Sequence, residues 1–493
     1  MTDQRTPETT FAVTTLGCKV NQADSEAISE QMSAAGFVQR DFSDMADVYI
    51  VNTCTVTHLG DRSSRQMISQ AHRRHPDALL VVTGCYAEIN PQVVAALPGV
   101  NLVIGNSGKE SLVEAINEQR KTSPVTTTHP VEIITSTKKN EQNRILPMLH
   151  ADIQHIGSDR SLPLIGVDEE PQPDNPSRVP HVIDGITLSS AADSRIHSRT
   201  RVQMKVQDGC NNRCTYCIVP YVRGGSRSRS IESVVEHVQR KVRAGFQEIV
   251  LTGIHLGDYH PAGNEERDLG DLIATLLSET DICRIRVSSL EPEDFRIKWL
   301  ELWEDPRMCR HLHLPMQSGS DHILRRMARR YNSERYHTIV TTAKRLVPGI
   351  AISTDIITGF PGESDSDFEQ TYQLAADLQF AKAHIFRFSP RQGTAAARMQ
   401  RQIKEEIKKA RSERLLTLND QDVRRFRQQF LGETVEVLIE SYKHGRWEGL
   451  TDNYLRVEVD GLADHANQIG QNTLIKTHLK ELVDDGVLGV AVE

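Results

Sequence analysis

Apolar residues near the N-terminus fall in short continuous runs bounded by glycine or polar residues. Phe11-Ala-Val-Thr-Thr-Leu16, Val48-Tyr-Ile-Val51, Ala78-Leu-Leu-Val-Val82 and Leu102-Val-Ile-Gly105 are the clearest. Helical spacing separates them, as in Asp24 to Ala35 and Gln92 to Leu97. Runs of this kind with helices between them predict βαβ units around a parallel sheet, here over 9–121. Strand-like runs resume at Val202-Gln-Met-Lys-Val206, Glu248-Ile-Val-Leu251, Arg284-Ile-Arg-Val287, His311-Leu-His-Leu314, Ala351-Ile-Ser-Thr354 and Ala383-His-Ile-Phe386. Helical patterns fill the gaps: Ile231 to Ala244, Leu269 to Leu277, His322 to Arg329, Ser333 to Leu346 and Asp365 to Leu378. Six βα repeats over 196–428 predict a closed or partial (β/α) barrel, with its active site at the strand C-termini.

A charged helix is expected from Lys404 to Phe430. Beyond it, 429–493 reads as a small all-β barrel, because Val435 to Ile439, Leu455 to Val459, Thr473 to Lys476 and Gly486 to Val492 have no helices between them. Between Lys121 and Arg199 the character changes. Pro, Thr, Ser and Asp accumulate, and no Phe, Tyr or Trp occurs between Tyr86 and Tyr216. Such a stretch buries little apolar surface, so 122–195 reads as a Pro-rich, acidic, flexible linker.

The chain has 493 residues, too many for one ordinary domain. It has no apolar run of the roughly 20 residues that cross a bilayer. Met1 to Thr10 is polar, unlike a secretion signal, and cytoplasmic residence is expected. The net charge of −8 argues against indiscriminate nucleic-acid binding. Two basic stretches stand out: Arg199 to Arg229 has seven Lys/Arg against one acidic residue, and Arg387 to Arg427 has twelve against five. Basic patches on an acidic protein fit a specific polyanionic partner, although solvated helix faces look the same in sequence.

Eight cysteines in a reducing compartment point to metal binding or catalysis rather than disulfides. Cys210-Asn-Asn-Arg-Cys214-Thr-Tyr-Cys217 follows the first barrel strand. A structural zinc site is closed by four ligands, but only three are local here. A 4Fe-4S cluster on three cysteines keeps one iron open to a small molecule. The second set is dispersed. Cys18, Cys54 and Cys85 each follow a strand of the N-terminal sheet, so their loops can converge at one sheet end. Independent buried cysteines are the alternative. Cys283 and Cys309 flank barrel strands without companions and read as structural.

These motifs resemble those of radical S-adenosylmethionine (SAM) methylthiotransferases, and the likeness covers nearly all of the chain outside the linker. Thr15-Leu-Gly-Cys-Lys-Val-Asn-Gln-Ala-Asp-Ser-Glu26 looks like the family's N-terminal signature. Gly209-Cys-Asn-Asn-Arg-Cys-Thr-Tyr-Cys-Ile-Val-Pro-Tyr-Val-Arg-Gly224 looks like its cluster loop. Ser288-Ser-Leu-Glu-Pro292, His313-Leu-Pro-Met-Gln-Ser-Gly-Ser320 and Thr354-Asp-Ile-Ile-Thr-Gly-Phe-Pro-Gly-Glu363 are further matches. The C-terminal barrel resembles the family's OB-like TRAM domain. The resemblance implies a catalytic cluster on Cys210, Cys214 and Cys217 that binds and cleaves SAM. It also implies an auxiliary 4Fe-4S cluster on Cys18, Cys54 and Cys85.

The likeness is greatest to the branch that methylthiolates carbon 2 of N6-threonylcarbamoyladenosine at position 37 of tRNA. Sister branches act on isopentenyladenosine in tRNA or on an aspartate of a ribosomal protein. The implied partners are the anticodon stem-loop of tRNA, a reductase or flavodoxin-like electron donor, and a sulfur donor; no membrane is implied. Gly253, Glu291, Gln317 and Asp355 lie at or just past strand ends and are candidate SAM contacts, although each could equally be a cap or turn residue. Arg223 and Arg229 are candidates for SAM carboxylate or RNA phosphate. The basic residues of Arg398 to Arg427, together with the β-barrel, are candidates for gripping the anticodon stem. The rival class is a non-enzymatic RNA-binding protein with structural zinc on the same cysteines.

Overall fold

The computed structural model describes residues 8–56, 58–122, 131–135, 200–261, 266–461 and 470–492. Most of the stretch read as a linker lies outside the described residues. One part of it does not: Glu132–Ile134 forms a strand, so the N-terminal sheet reaches past position 121. The described residues divide into two compact units. The first holds the N-terminal sheet. The second holds the barrel strands and, unlike a separate appendage, the C-terminal β-barrel as well. None of the described helices is long and apolar enough to cross a membrane.

In the first unit six parallel strands lie in the order Val38–Gln39, Thr10–Thr15, Val48–Thr53, Leu79–Gly84, Val100–Ile104, Glu132–Ile134. Val48–Thr53 and Leu79–Gly84 are buried along their whole length, which is why they read as continuous apolar runs rather than alternating ones. One face packs Phe11, Val13, Ile50, Val81 and Leu102. The other packs Tyr49, Val51, Leu80, Val82 and Val103.

In the second unit the barrel strands form two parallel three-stranded sheets. Arg201–Lys205, Glu248–Thr252 and Arg284–Val287 make the first; His311–His313, Ala351–Thr358 and Lys382–Arg387 make the second. Bridges from Ile285 to Met308 and from Ser289 to His313 join them. No pairing closes the first strand on the last among the described residues, so this is a partial barrel. Helix boundaries follow from local chemistry. Ser364 and Asp367 form a capping box that starts Asp365–Leu378, and Asn332 caps Ser333–Leu346. Gln379 takes a left-handed φ of 46° and ends the first of these helices.

Five strands after position 433 close a small barrel around Val437, Ile439, Trp447, Val457, Leu479 and Val487. Its position within the unit is set by buried arginines at the N-terminal ends of the parallel strands. Arg286 is fully buried. It pairs with Glu248 at 2.7 Å and donates to the carbonyls of Asp452 (2.7 Å) and Thr451 (3.1 Å). Arg284 donates to Leu450 O and Glu436 O, and Arg310 pairs with Asp452 at 2.6 Å. Burial pushes the Glu248 carboxyl up, but Arg286 and its neighbouring guanidiniums outweigh burial and hold it below the usual range. The small barrel therefore plugs the end of the parallel barrel opposite the cysteine loop.

Candidate active site

Cys210, Cys214 and Cys217 lie in a loop that leaves the C-terminal end of the first barrel strand. Gly209 (φ 77°) and Gly224 (φ 74°) take left-handed turns at its two ends, and Cys210 N donates to Gly224 O at 3.0 Å. A Cβ on Gly209 would lie 2.6 Å from the Gly225 carbonyl carbon, so the loop closes only with glycine there. Thr215 anchors the middle: its N donates to Met327 O and its Oγ1 to Arg326 O, both at 3.0 Å.

Each of the three sulfurs accepts an N–H. Asn212 N donates to Cys210 Sγ (3.3 Å), Val219 N to Cys217 Sγ (3.4 Å) and Arg329 Nη1 to Cys214 Sγ (3.4 Å). Donors on every sulfur suit thiolates. Burial opposes that charge and, helped by Cys214 and Cys210 and against the Val219 N–H, pushes Cys217 up to about 12. Three half-buried thiolates side by side are stable only when a cation shares their charge, and a cluster that keeps one iron open fits this donor set.

The second cysteine set is brought together within the first unit. Cys18, Cys54 and Cys85 follow Thr10–Thr15, Val48–Thr53 and Leu79–Gly84, three adjacent strands of the sheet. The order of the strands reverses between the first and second of these, and crevices form at such points. Cys54 is pushed up to about 12 by burial, then by Cys85 and by Cys18, so all three sulfurs share one locality. Gly17 (φ 102°) and Gly84 (φ 97°) precede two of them. A Cβ on Gly17 would lie 2.9 Å from Cys54 Sγ. Ser64 Oγ donates to Cys54 O (2.9 Å) and accepts from Cys54 N (3.2 Å), while Asn106 Nδ2 points at Cys85 Sγ (3.6 Å). Cys283 is exposed and Cys309 buried, and neither joins a set.

The candidate SAM contacts separate. Glu291 pairs with Arg329, which also reaches Glu293 at 3.2 Å, and so lies beside the cysteine loop. Gln317 holds a left-handed φ of 58°, fixed by Gln317 N donating to Asp355 O (2.8 Å) and Ile357 N donating to Gln317 O (2.9 Å). Strain of that kind is concentrated at functional positions. Gly253 has a packing reason, because a Cβ there would lie 2.8 Å from Gln207 Oε1. Asp355 pairs with His313 at 3.3 Å; burial raises its carboxyl, but His313 and His384 outweigh that and hold it low.

Arg223 and Arg229 are already engaged. Arg223 is buried against Asp208 (3.0 Å), and Arg229 donates to Ser233 O (3.0 Å) and Oγ (2.8 Å). Lys408, Arg411 and Arg414 of the charged helix are committed to Phe388 O, Glu363 and Glu369. Arg398, Arg401, Lys404, Lys409 and Arg424 remain exposed.

Sequence reasoning missed four residues. Buried Gln207 donates to Gly209 O (2.9 Å) and Ser226 Oγ (2.9 Å) and accepts from His255 N (2.8 Å), tying the cysteine loop to the turn after the second strand. His255 contacts Asp294 at 2.5 Å. Burial lowers its pKa, but hydrogen bonds to Asp294 and Cys210 outweigh that and raise it to about 10. Arg329 and Glu293 complete the group. Of these, Gln207 and His255 lie just past strand ends, the rule that had singled out Gly253.

Comparisons with known proteins agree with this geometry. Residues 204–375 match the radical SAM superfamily, and residues 10–105 match a family described as uncharacterized protein family UPF0004. The chain is 36% identical to threonylcarbamoyladenosine tRNA methylthiotransferase MtaB of Bacillus subtilis, over 95% of this chain and 94% of that one. It is 33% identical to the Aquifex aeolicus protein of the same name, over 91% and 96%. It is 30% identical to tRNA-2-methylthio-N(6)-dimethylallyladenosine synthase of Clostridium novyi, over 87% and 85%. Among solved structures, the radical SAM methyltransferase TsrM of Kitasatospora setae shares the fold at a TM-score of 0.52 and 14% identity, over 79% of this chain and 75% of that one.

Proposed function

The chain belongs to the radical SAM methylthiotransferase family, and from that premise we propose that it adds a methylthio group to carbon 2 of N6-threonylcarbamoyladenosine at tRNA position 37, with two 4Fe-4S clusters and two molecules of SAM. The observation that carries the reading is the pair of cysteine trios, each gathered at the C-terminal ends of parallel strands. The substrate is favoured by the names of the B. subtilis and A. aeolicus relatives.

Carbon 2 of adenine has no acidic proton and no leaving group, so a radical has to remove its hydrogen. When bound, the cofactors supply that chemistry as a 5′-deoxyadenosyl radical made from SAM. The protein's part is to hold and shield. Cys210, Cys214 and Cys217 hold the catalytic cluster, with their sulfurs stabilised by the N–H groups of Asn212, Val219 and Arg329. Glu291, Gln317 and Gly253 hold SAM; Arg329 fixes the direction of Glu291. Cys18, Cys54 and Cys85 would hold the auxiliary cluster, which would supply the sulfur to be transferred, and a second SAM would supply the methyl group. Arg398, Arg401, Lys404, Lys409 and Arg424 meet the phosphates of the anticodon stem. A reductase or flavodoxin-like protein supplies electrons and a separate donor supplies sulfur, all in the cytoplasm.

Mass spectrometry of tRNA nucleosides from cells lacking the gene tests the substrate. Loss of the methylthio-threonylcarbamoyl nucleoside alone is expected; loss of the methylthio-isopentenyl nucleoside instead assigns the sister substrate. Metal analysis tests the chemistry: about eight irons per chain after anaerobic reconstitution support two clusters, and zinc in their place supports the rival class.

A further inference from the structure

The second three-stranded sheet alternates cleanly. Leu312, Leu314, Ile352 and Ile356 enter the hydrophobic core, with Ala383 and Ile385 packed against it. The intervening positions put His313, Ser353, Asp355 and His384 on the other face, which lines the barrel interior. His313 is in register with Ser353, and Asp355 with His384. One nitrogen of His313, one of His384 and one oxygen of Asp355 lie within 4.8 Å of one another, and all three residues are partly buried. His313 also bridges to Ser289, two residues before Glu291, so the group sits toward the same end as the cysteine loop.

We propose that His313, Asp355 and His384 form a binding site for a divalent first-row transition-metal ion, separate from both cysteine sets. Two imidazoles and one carboxylate suit Mn(II), Fe(II) or Zn(II), and this is not a cluster of acidic groups alone. With metal–ligand bonds of about 2.1 Å, neighbouring ligand atoms lie about 3.0–3.5 Å apart. His313 Nε2 and Asp355 Oδ2 are already 3.3 Å apart, and the third ligand closes the site by a small side-chain shift. An independent feature orients the set. His313 Nδ1 contacts Ser353 Oγ at 2.9 Å, which leaves Nε2 as the metal-facing nitrogen, and Ser353 Oγ is held in turn by His311 Nε2 at 3.1 Å. Metal-ligating histidines carry an outer-sphere partner of this kind. Three protein ligands leave positions for water or an oxygen donor. Asp355 is then a metal ligand rather than a SAM contact.

The test uses full-length protein with its clusters reconstituted, freed of loosely held metal and titrated with Mn(II) without SAM or RNA. Mn(II) prefers nitrogen and oxygen donors to thiolate, so the cysteines do not compete. Electron paramagnetic resonance of the free ion counts what is bound. One ion per chain is expected. Asp355→Asn and His384→Gln should each weaken binding by about tenfold or more, and Ser353→Ala by about tenfold. His337→Ala, at an exposed histidine paired with Asp377, should change nothing. Unchanged iron content and circular dichroism show that the variants fold. Absence of stoichiometric Mn(II) binding by the unaltered protein, or equal binding by the Asp355 and His384 variants, overturns the proposal and leaves the methylthiotransferase reading untouched.

Discussion

Replacing Arg329 by methionine removes a side chain that joins Cys214 to two glutamates. The residue is 7% exposed; it donates to Cys214 Sγ at 3.4 Å and pairs with Glu291 and, at 3.2 Å, with Glu293. Breaking a buried pair from one side costs about 3–5 kcal/mol, because the partner's charge is left uncompensated. Two features place this case at the lower end. The Glu291 side chain keeps 21% of its exposure, and Glu293, already raised by burial, can take up a proton. A loss of about 3 kcal/mol corresponds to a fall of roughly 6–12 °C in the unfolding midpoint for a unit of this size. The loss should depend on pH. Burial already raises the Glu293 carboxyl and Arg329 opposes that rise, so without Arg329 it titrates higher still in the folded state than in the unfolded chain. Folding is then penalised once it ionises, and the penalty fades as pH falls towards about 4.3, the ordinary glutamate value. Thermal unfolding of anaerobic full-length protein near about pH 8 and about pH 5.5 reads both effects. Arg329→Lys should recover part of the loss, since it keeps the charge without the forked geometry. A shift below about 2 °C, or one that does not shrink in acid, refutes the reasoning.

Gly84→Ala puts a Cβ 2.6 Å from Thr53 N at a φ of 97°, so iron content should fall by about half while 5′-deoxyadenosine still forms. Arg286→Met should destabilise the second unit by about 3–5 kcal/mol in calorimetry, and adding Glu248→Gln should restore more than half, because the orphaned charge is gone. Binding of tRNA should weaken steeply with salt, and charge reversal of Lys409 or Arg424 should reduce the log–log slope by about 0.7–0.9 per lost phosphate contact. A salt-independent affinity removes those residues from the interface.

The parallel strands and the Cys210–Cys214–Cys217 set were legible because their signals are local: a buried strand is an apolar run, and the cysteine loop packs three sulfurs into eight residues, whereas the dispersed Cys18, Cys54 and Cys85 could be grouped only by their shared place after strands. The helices Ser333–Leu346 and Asp365–Leu378 were legible to the residue because Asn332 and Ser364 cap them. Arg446–Thr451 was missed because Gly449 interrupts its pattern, and that glycine is needed where Leu438 crosses. Glu132–Ile134 was hidden by its length in a polar stretch. Gln207 and Arg329 were not legible because their meaning lies in partners far along the chain. The basic helix misled in part: a guanidinium paired with a glutamate, as in Arg411 with Glu363, looks in sequence like one awaiting phosphate.

The central claim is that the Cys210–Cys214–Cys217 trio alone generates the radical while the Cys18–Cys54–Cys85 trio handles sulfur. Chromatography of anaerobic reactions with dithionite and SAM tests it directly, on the unaltered protein, Cys54→Ala and Cys214→Ala. The first two should yield 5′-deoxyadenosine and the third none, with methylthiolated nucleoside formed by the unaltered protein alone. Cleavage that survives in Cys214→Ala, or full methylthiolation by Cys54→Ala, contradicts the account.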